Sequence, residues 1–418
     1  MNKIYKVIWS KTRNCYVAVS EIAKRNGKDR TSVTGGAAGS GQAARVLCAL
    51  LLGTYLTAGY SMPVAWGEVT GNGTVEGTFK GKVDGAVIQG SNVEATGTYA
   101  TAWGEGTSSW QVIASGKGAT AFGCQTTATG NWSTAWGVGD MSTGALQAIG
   151  EGSTAFGKST TAYARYSTAW GYRTVAGKKD GDHDWQGGYA TAWGYITNAE
   201  GTYSTAWGYK TTASGEGAVA WGGGNDDYRT EASGNYSTAF GTRTSAKSPN
   251  STAWGYMTTA GVDATTGKYA TAFGSNTTAN TNGSTSWGYG TRAGSDGTNS
   301  GGYATAWGYN TKATGEKATA WGGSSSNRGG YATAAASTAF GENTSASAEM
   351  TTAFGNTTTA NTEGSTAWGN NTKAGNDGTN SGTYATAWGY KTTASGEGAV
   401  AWGGGNDDYR TEASGNYS

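Results

Sequence analysis

Histidine, cysteine and proline are scarce in this chain of 418 residues, which contains 1 His, 3 Cys and 2 Pro. A zinc site needs several His or Cys ligands, and the chain does not supply them. A Ser–His–Asp arrangement would depend on His183 alone. That histidine lies in a Gly- and Asp-rich stretch, where a solvated loop residue is the better interpretation. We therefore predict a non-enzymatic protein with no catalytic residues and no cofactor.

The three cysteines, Cys15, Cys48 and Cys124, do not form a disulfide framework. Two of them lie within residues 1–65, and if that segment is removed Cys124 has no partner in the chain. Small secreted domains often need disulfides, whereas a long stacked core does not. Cys124 is interpreted either as a free surface thiol or as a small buried residue.

Positive charge is not concentrated in the body of the chain. Residues 1–65 hold nine Lys or Arg against Glu21 and Asp29, which leaves 20 basic and 26 acidic residues and a formal net charge of −6 in 66–418. A nucleic-acid-binding protein has a concentrated basic surface. The charge distribution therefore excludes nucleic acid as a partner.

Glycine and aromatic residues are abundant. The sequence has 73 Gly, a content that is typical of low-complexity disorder, but it also has 18 Trp, 24 Tyr and 7 Phe. Disordered segments are poor in aromatic residues. The combination indicates a repetitive fold with many tight turns and one large apolar side chain in each repeat.

An apolar run of eleven residues spans 46–56 and follows Arg45. The run is too short to cross a bilayer and has the length of a signal-peptide hydrophobic region. Small residues follow, and we predict cleavage after Ala65 or Ser61. The basic segment of more than forty residues that precedes the run is much longer than an ordinary signal-peptide N-terminus.

A seven-residue spacing of small residues dominates the rest of the chain, and every second small residue precedes an aromatic residue and a glycine. The repeating unit is therefore fourteen residues. Nineteen aromatic residues followed by Gly form what we call the aromatic ladder. Its members are Trp103, Phe122, Trp136, Phe156, Trp170, Trp193, Trp207, Trp221, Phe240, Trp254, Phe273, Trp287, Trp307, Trp321, Phe340, Phe354, Trp368, Trp388 and Trp402. All but one of these residues follow Ala. Where two successive ladder residues are more than fourteen positions apart, the additional residues are polar and predict a loop.

Strand geometry explains this spacing. Seven residues form a strand of about four or five residues and a turn, so two strands make one flat coil and parallel coils stack about 4.8 Å apart. Side chains alternate along a strand, so Ala206 faces one way and Trp207 the other. Ala206 and Ala213 lie on opposite strands of a coil. If both face inward, the interior is too narrow for an indole, and the ladder must lie outside. The glycine after each aromatic residue is expected to let the chain turn at positive φ.

An outward stripe of nineteen aromatic side chains predicts an interface. Each ring buries on the order of 150–250 Å² when it is covered, and identical ladders can meet around a symmetry axis. The sequence therefore predicts a homo-oligomer. Trp110, Trp132, Trp185, Tyr228 and Tyr409 lie off the ladder and are the candidate ligand contacts, with loop packing as the alternative.

Asp180, Asp182 and Asp184 have the spacing of the first ligands of a calcium loop. However, Trp185 stands where the loop needs Gly, and Thr191 stands where it needs Glu. The stretch is a weak calcium candidate, and a hydrated insertion is the preferred interpretation. No metal site is predicted elsewhere.

The leader carries the first family resemblance. The runs N-K-I-Y-K-V-I-W, R-N-C-Y-V-A-V-S-E and A-K-R-N-G-K in residues 1–28 resemble the extended signal peptide region of autotransporters and related type V secreted proteins. The resemblance implies export by the Sec route across the inner membrane of a diderm bacterium, with display at the cell surface and outer membrane.

The repeats carry the second resemblance. The motif Y-S-T-A-W-G-Y-K-T at 203–211 resembles the N-S-V-A-I-G-x-x-S motif of YadA-like heads in trimeric autotransporter adhesins. The resemblance implies an all-β, left-handed parallel β-roll, a homotrimer, and attachment to host extracellular matrix, cells, glycans or other surfaces. By position, Thr205 and Trp207 would face the trimer axis and Ala206 the coil interior. Aromatic residues replace Ile at nearly every repeat, which implies a wider axis.

Residues 205–237 recur letter for letter at 386–418. The first copy continues into another repeat, whereas the second ends inside a motif, so we expect a stalk of heptads and a membrane-anchoring barrel to follow. The predicted segments are an extended signal region at 1–30, a linker with the hydrophobic run at 31–65, a first mature segment at 66–87 and head repeats at 88–418.

Two rival functions remain open. In the first, a monomeric carbohydrate-binding β-solenoid uses the Trp ladder as a sugar platform. In the second, Thr-rich flat arrays bind ice, although the inserts interrupt the regular face that ice binding needs.

Overall fold

The computed structural model describes residues 5–10, 15–20, 86–107, 109–140, 142, 144–180, 184–186, 188–225, 229–297, 300–324, 329–378, 381–406 and 408–418. The chain divides into one unit within 1–60 and a second within 61–418. In the first unit, Tyr5–Ser10 pairs with Cys15–Ser20 as an antiparallel hairpin. No helix that could cross a membrane occurs among the residues described here. The predicted hydrophobic run at 46–56 and both candidate cleavage positions lie outside them.

The second unit contains two sheets of twenty strands each. We call the first the long-strand sheet, because its strands have four or five residues. Its strands are Val87–Ser91, Thr101–Glu105, Thr120–Cys124, Thr134–Val138, Thr154–Lys158, Thr168–Tyr172, Thr191–Tyr195, Thr205–Tyr209, Val219–Gly223, Thr238–Thr242, Thr252–Tyr256, Thr271–Ser275, Thr285–Tyr289, Thr305–Tyr309, Thr319–Gly322, Thr338–Glu342, Thr352–Asn356, Thr366–Asn370, Thr386–Tyr390 and Val400–Gly404.

The second sheet, which we call the short-strand sheet, has strands of two or three residues. These strands are Val93–Ala95, Val112–Ala114, Thr126–Ala128, Leu146–Ala148, Thr161–Ala162, Val175–Ala176, Asn198–Ala199, Thr211–Ala213, Thr230–Ala232, Ser245–Ala246, Thr259–Ala260, Thr278–Ala279, Arg292–Ala293, Lys312–Ala313, Gly330–Ala332, Thr344–Ala346, Thr359–Ala360, Lys373–Ala374, Thr392–Ala394 and Thr411–Ala413.

Long and short strands alternate along the chain, and each strand pairs in parallel with its equivalents one coil before and one coil after. Thr205–Tyr209, for example, pairs with Thr191–Tyr195 on one side and Val219–Gly223 on the other. From Thr101–Glu105 onward, the register of the long strands places Ala beside Ala and aromatic beside aromatic, apart from Ser286, whereas the first strand places Ile88 beside Ala102 and Gln89 beside Trp103. The predicted all-β parallel solenoid of fourteen-residue coils is therefore confirmed. Its handedness and trimeric state stay predictions.

The interior of the solenoid is built from small side chains, mainly alanine together with buried Ser and Thr. Ala206 of the long-strand sheet and Ala213 of the short-strand sheet are both fully buried, as the narrow-coil argument predicts. At one Ala position of the long-strand sheet stands Ser286, whose Oγ lies 2.7 Å from Thr291 Oγ1 inside the coil. Because small side chains fill the space between the sheets, no large ring fits there.

The glycine after each aromatic residue has a different role from the predicted one. Gly208 has the expected positive φ of 130°, but it lies inside a strand rather than at its turn. A Cβ on Gly208 would lie 1.8 Å from the backbone oxygen of Gly222 in the next coil. The turns instead place Tyr203 and Lys210 in the left-handed region, with φ of 57° and 53°. Glycine is thus required by the close approach of successive coils.

Inserts leave the coil at only two corners. One group follows long strands and the other follows short strands, so the sheets themselves are not interrupted. The inserts occupy 106–111, 139–145, 224–229, 323–329 and 405–410 after long strands, and 177–188, 261–267, 294–301 and 375–382 after short strands. One of them is more than the predicted loop, because Lys178–Asp180 pairs with Asp184–Gln186 as an antiparallel hairpin.

Candidate interaction surface

The outer face of the long-strand sheet carries three parallel columns of side chains. In each strand the first, third and fifth residues face outward, as Thr205, Trp207 and Tyr209 do, while Ala206 is buried. The column at the fifth position includes Tyr195, Tyr209 and other tyrosines, and the rings of these two stack with centroids 5.1 Å apart. The face is therefore aromatic along its middle column, with Thr on one side and a mixed column on the other, in which tyrosines alternate with polar residues such as Glu105, Lys158 and Glu342.

The aromatic ladder forms the middle column, and all nineteen predicted members lie in one register. Successive ring centroids are 4.6–6.0 Å apart along its whole length. Trp193, Trp207 and Trp221 stack face to face, with interplanar angles of 0° and 1°. Where Phe meets Trp, the rings tilt by 50–72°. The ladder is thus one continuous aromatic column.

Each ladder ring is only partly covered by its neighbours in the same chain. Trp207 stays 41% exposed and Trp136 51% exposed. Soluble proteins rarely leave a contiguous apolar surface of this extent in water. At about 25 cal/mol per Å² the covered ladder represents on the order of tens of kcal/mol. The role of the ladder in a trimer core remains a proposal.

A second aromatic column, which the fourteen-residue spacing of the ladder does not include, lies at the turn that precedes the long strands. We call it the turn column. Its members, Tyr99, Trp132, Tyr166, Tyr189, Tyr203, Tyr236, Tyr269, Tyr303, Tyr384 and Tyr417, are exposed and have positive φ. Several lie over a glycine of the preceding coil, as Tyr236 does over Gly217, where a Cβ would lie 2.8 Å from the ring. The recurring Tyr two residues before Thr-Ala-Trp is the signal that could have revealed it.

The five candidate ligand contacts fall in different places. Trp132 belongs to the turn column, and Lys117 Nζ lies 5.8 Å from its ring centroid. Trp110 closes an insert through backbone hydrogen bonds with Thr107. Tyr409 is exposed, and its backbone N–H donates to Asn406 Oδ1 at 2.7 Å. Tyr228 and the side chain of Trp185 lie outside the described residues.

The calcium candidate falls largely outside the described residues. Asp182 and the side chains of Asp180 and Asp184 are not described, although the backbones of Asp180 and Asp184 pair across the hairpin. Among the described residues, no group of three His, Cys, Asp or Glu is placed to hold a metal ion. Cys124 is free and half-buried at the end of a long strand.

Ion pairs on the coil surface are few among the described residues. Lys158 Nζ lies 2.8 Å from Asp140 Oδ2. This contact, with a hydrogen bond from Ser142, holds the pKa of Asp140 well below its ordinary value. The Glu216 carboxylate accepts a hydrogen bond from the Tyr236 hydroxyl at 2.7 Å, which raises the pKa of Tyr236. These groups orient side chains and do not form a reactive centre.

The geometry defines an elongated repetitive solenoid with an aromatic outer face, and comparison with protein families agrees. Residues 1–51 match the extended signal peptide of the type V secretion system. The YadA head domain repeat matches 114–139, 148–174, 186–211, 199–225, 232–256, 266–291, 300–325, 346–372 and 381–406. Comparison with curated proteins finds no match.

These matches cover more than half of the chain, which therefore belongs to the trimeric autotransporter adhesins with YadA-like heads. The predictions of Sec export, display at the bacterial surface and a repeat-built adhesin are confirmed. Members of this family are generally non-enzymatic. The predicted segment boundaries stay predictions.

Proposed function

We propose that the chain forms a homotrimeric head that attaches bacteria to host matrix, host cells or other surfaces by multivalent, non-catalytic binding. The observation that carries the proposal is the aromatic ladder, which is continuous, faces outward and is half-exposed in a single chain. A second and a third copy of the same chain would bring an identical ladder to the same axis.

The composition of the face around Trp193 and Trp207 supports self-association. Thr205 and its equivalents flank the ladder on one side, and Tyr209 and its equivalents flank it on the other. No charged side chain stands on the strand Thr205–Tyr209 or its neighbour Thr191–Tyr195. Charged residues are depleted at the centre of protein interfaces, where apolar and aromatic side chains are enriched. The aromatic ladder and the uncharged strands that carry these two indoles therefore suit the interior of an assembly.

The remaining surfaces suit contact with a ligand. Inserts emerge at both corners of the coil, and the short-strand sheet presents one outward side chain in each coil. A trimer repeats every such contact three times, so weak interactions at many coils add up to a tight attachment. Binding through such a surface needs no catalytic group.

The rival sugar-platform function has a specific difficulty. Sugars stack on the faces of aromatic rings, but the faces of Trp193 and Trp207 are covered by each other and by their neighbours at 4.8–5.0 Å. Only ring edges are offered to an external ligand. The ladder therefore suits an interface better than a carbohydrate platform.

Retention of the purified full chain on immobilised matrix proteins and fixed host cells tests the proposal. The comparison uses wild type and the double variant Trp193→Ala/Trp207→Ala at several ligand densities. We expect the retention of wild type to rise steeply with ligand density. The variant should have the mass of a single chain, and its retention should rise only gradually with ligand density. The matched control Tyr189→Ala/Tyr203→Ala removes two rings from the turn column of the same coils and should keep the trimer.

Two results would count against the proposal. If wild type is retained on no matrix or cell surface, the adhesive function is wrong. If the double Trp variant keeps its mass but loses binding to glycans, the monomeric sugar-binding solenoid is the better account.

A further inference from the structure

A polar cavity of about 320 Å³ opens beside the hairpin insert, away from the ladder. It is lined by residues from four consecutive stretches of the solenoid. These residues are Lys178, Glu200, Gly201, Thr202, Ser214, Glu216 and Asn235. The cavity combines two carboxylates, an ammonium group, an amide and two hydroxyls, so its wall offers both donors and acceptors of hydrogen bonds.

Coil stacking brings these residues together. Ala199 pairs with Ala213, so the residues that follow, Glu200 and Ser214, occupy the same position on adjacent coils. The backbone N–H of Glu200 donates to Ala213 O at 2.8 Å, which fixes the start of its side chain. Lys178, the first residue of the hairpin insert, adds a positive charge that the regular repeat does not supply.

The amide and one carboxylate are already oriented. Asn235 Oδ1 accepts a hydrogen bond from the backbone N–H of Glu216 at 3.1 Å, so the other hydrogen-bonding group of this amide is the Nδ2 donor. Glu216 Oε1 accepts the hydroxyl of Tyr236 at 2.7 Å, so one carboxylate oxygen is held and the other stays available. Prior orientation of this kind lowers the entropy lost on binding.

Two tyrosines of the turn column directly follow lining residues of the cavity in the chain. Tyr203 directly follows the lining residue Thr202, is 60% exposed and stacks on Tyr189 with centroids 5.1 Å apart. Tyr236 directly follows Asn235 and is also exposed. Small polar groups beside an exposed aromatic surface suit a ligand that has many hydroxyls on one side and C–H groups on the other.

We propose that this cavity binds a neutral saccharide unit of a surface glycan. The two carboxylates would accept sugar hydroxyls, Asn235 and Lys178 would donate to sugar oxygens, and a tyrosine edge would contact the C–H face. The inference rests on the proposed adhesive function and deepens it by naming a ligand class. It does not involve the ladder.

The repeated segment at 386–418 supplies an internal control. Glu397 and Tyr417 reproduce the Glu216–Tyr236 hydrogen bond at 2.9 Å, and Asn416 Oδ1 again accepts the backbone N–H of Glu397 at 3.1 Å. However, Gly375, whose backbone N–H donates to Ala394 O at 2.9 Å, stands where the first copy has Glu200, and no hairpin with a counterpart of Lys178 occurs among the described residues of the preceding coil.

An oligosaccharide array followed by calorimetry on the best ligand tests the proposal. The array carries neutral, amine-bearing, and carboxylated or sulfated sugars, and the protein is the full chain. We expect neutral sugars to bind the wild-type chain. Glu200→Ser and Glu216→Gln should each raise the dissociation constant about tenfold, because each removes hydrogen bonds to a charged group in the cavity. The control Glu397→Gln, which lies outside the cavity, should change the dissociation constant by less than about twofold. All variants should keep the wild-type unfolding temperature within about 2 °C.

The outcomes separate the two proposals. An array on which no neutral sugar binds overturns the saccharide site, as does equal weakening by Glu397→Gln or binding restricted to charged sugars. If the trimer still adheres to host surfaces in that case, the proposed function stands without the site. If sugars bind as expected but the chain is retained on no surface, the saccharide site is supported and the proposed adhesive function is wrong.

Discussion

The indoles of Trp193 and Trp207 lie parallel, with ring centroids 4.9 Å apart and an interplanar angle of 0°. Their strands pair in register as neighbours in a parallel sheet, so the spacing of the rings equals the spacing of the strands. Because the long strands from Thr101–Glu105 to Val400–Gly404 repeat this register, one local pairing rule builds an aromatic column along these coils, with parallel rings where Trp meets Trp around these two indoles and tilted rings where Phe meets Trp.

Substitution of a strand glycine should break the stacking of coils. A Cβ at Gly222, which has φ of 144°, would lie 1.7 Å from the backbone oxygen of Gly241. We expect Gly222→Ala to lower the free energy of unfolding by about 3 kcal/mol, since it combines overpacking with an unfavourable backbone conformation. Denaturant unfolding followed by Trp fluorescence measures the change.

The next residue provides the control for that change. At Gly223 the nearest atom to an added Cβ is Thr242 Oγ1, 4.0 Å away. Gly223→Ala should therefore change the unfolding free energy by less than about 0.5 kcal/mol. Equal destabilisation by both variants would show that the close approach of coils is not what requires glycine.

A buried hydroxyl without a partner should be replaceable. Thr211 Oγ1 is fully buried and has no hydrogen-bond partner among the described residues. In the paired position one coil later, Thr230 Oγ1 donates to Gly223 O at 2.8 Å. We expect Thr211→Val to be neutral or stabilising by up to about 1 kcal/mol and Thr230→Val to be destabilising by about 1 kcal/mol. The unfolding temperatures of the two variants measure these changes. A lower unfolding temperature for Thr211→Val than for Thr230→Val would contradict the assignment of the unpaired hydroxyl to Thr211.

The Asp140–Lys158 contact predicts a weak dependence of stability on pH. The contact lowers the pKa of Asp140, so its stabilisation is present at neutral pH and is lost as the pH falls below about 4, the ordinary range of an aspartate. Both groups are accessible to solvent, so the effect is small and decreases with salt. Asp140→Asn should unfold at a slightly lower temperature than wild type at pH 7 and low salt.

The pH series supplies its own control. The difference between wild type and Asp140→Asn should shrink at pH 3 and nearly vanish in 1 M salt at pH 7. A difference that grows on acidification would mean that Asp140 is not stabilised in its charged form. Lys158→Met should reproduce the loss at pH 7, because it removes the other partner of the same contact.

Much of the fold is predictable from the sequence. The fourteen-residue period pairs each Ala with the Ala of the next coil, and alternation along a strand then puts Ala206 inside and Trp207 outside. The nineteen ladder positions follow from that register alone. Side-chain size therefore decides which face is buried, and no long-range information is needed.

Other features depend on geometry that the period does not contain. The strand role of Gly208 depends on the distance to the oxygen of Gly222, which only stacked coils reveal. The hairpin at Lys178–Asp180 and Asp184–Gln186 breaks the repeat, and the cavity needs that insert together with Glu200 and Asn235. The sequence period predicts the regular coils, but it does not predict the structure of the inserts or the cavity beside one of them.

Removal of one ladder ring should weaken self-association more than removal of a turn-column ring. Trp207→Ala deletes an outward indole from the apolar face, whereas Tyr203→Ala deletes an exposed ring at the turn of the same coil. We expect Trp207→Ala to reduce the free energy of trimer formation by at least about 2 kcal/mol per chain, as for a central interface residue. Dilution series that locate the dissociation midpoint provide the measurement, and equal midpoints for the two variants would refute this ranking.

The mass of the purified full chain in solution, measured by sedimentation equilibrium together with its Trp emission, tests the central claim most directly. The account predicts three times the chain mass of 42.5 kDa and blue-shifted emission from indoles that are shielded from water. A stable single chain whose indoles emit as they do in water would contradict it.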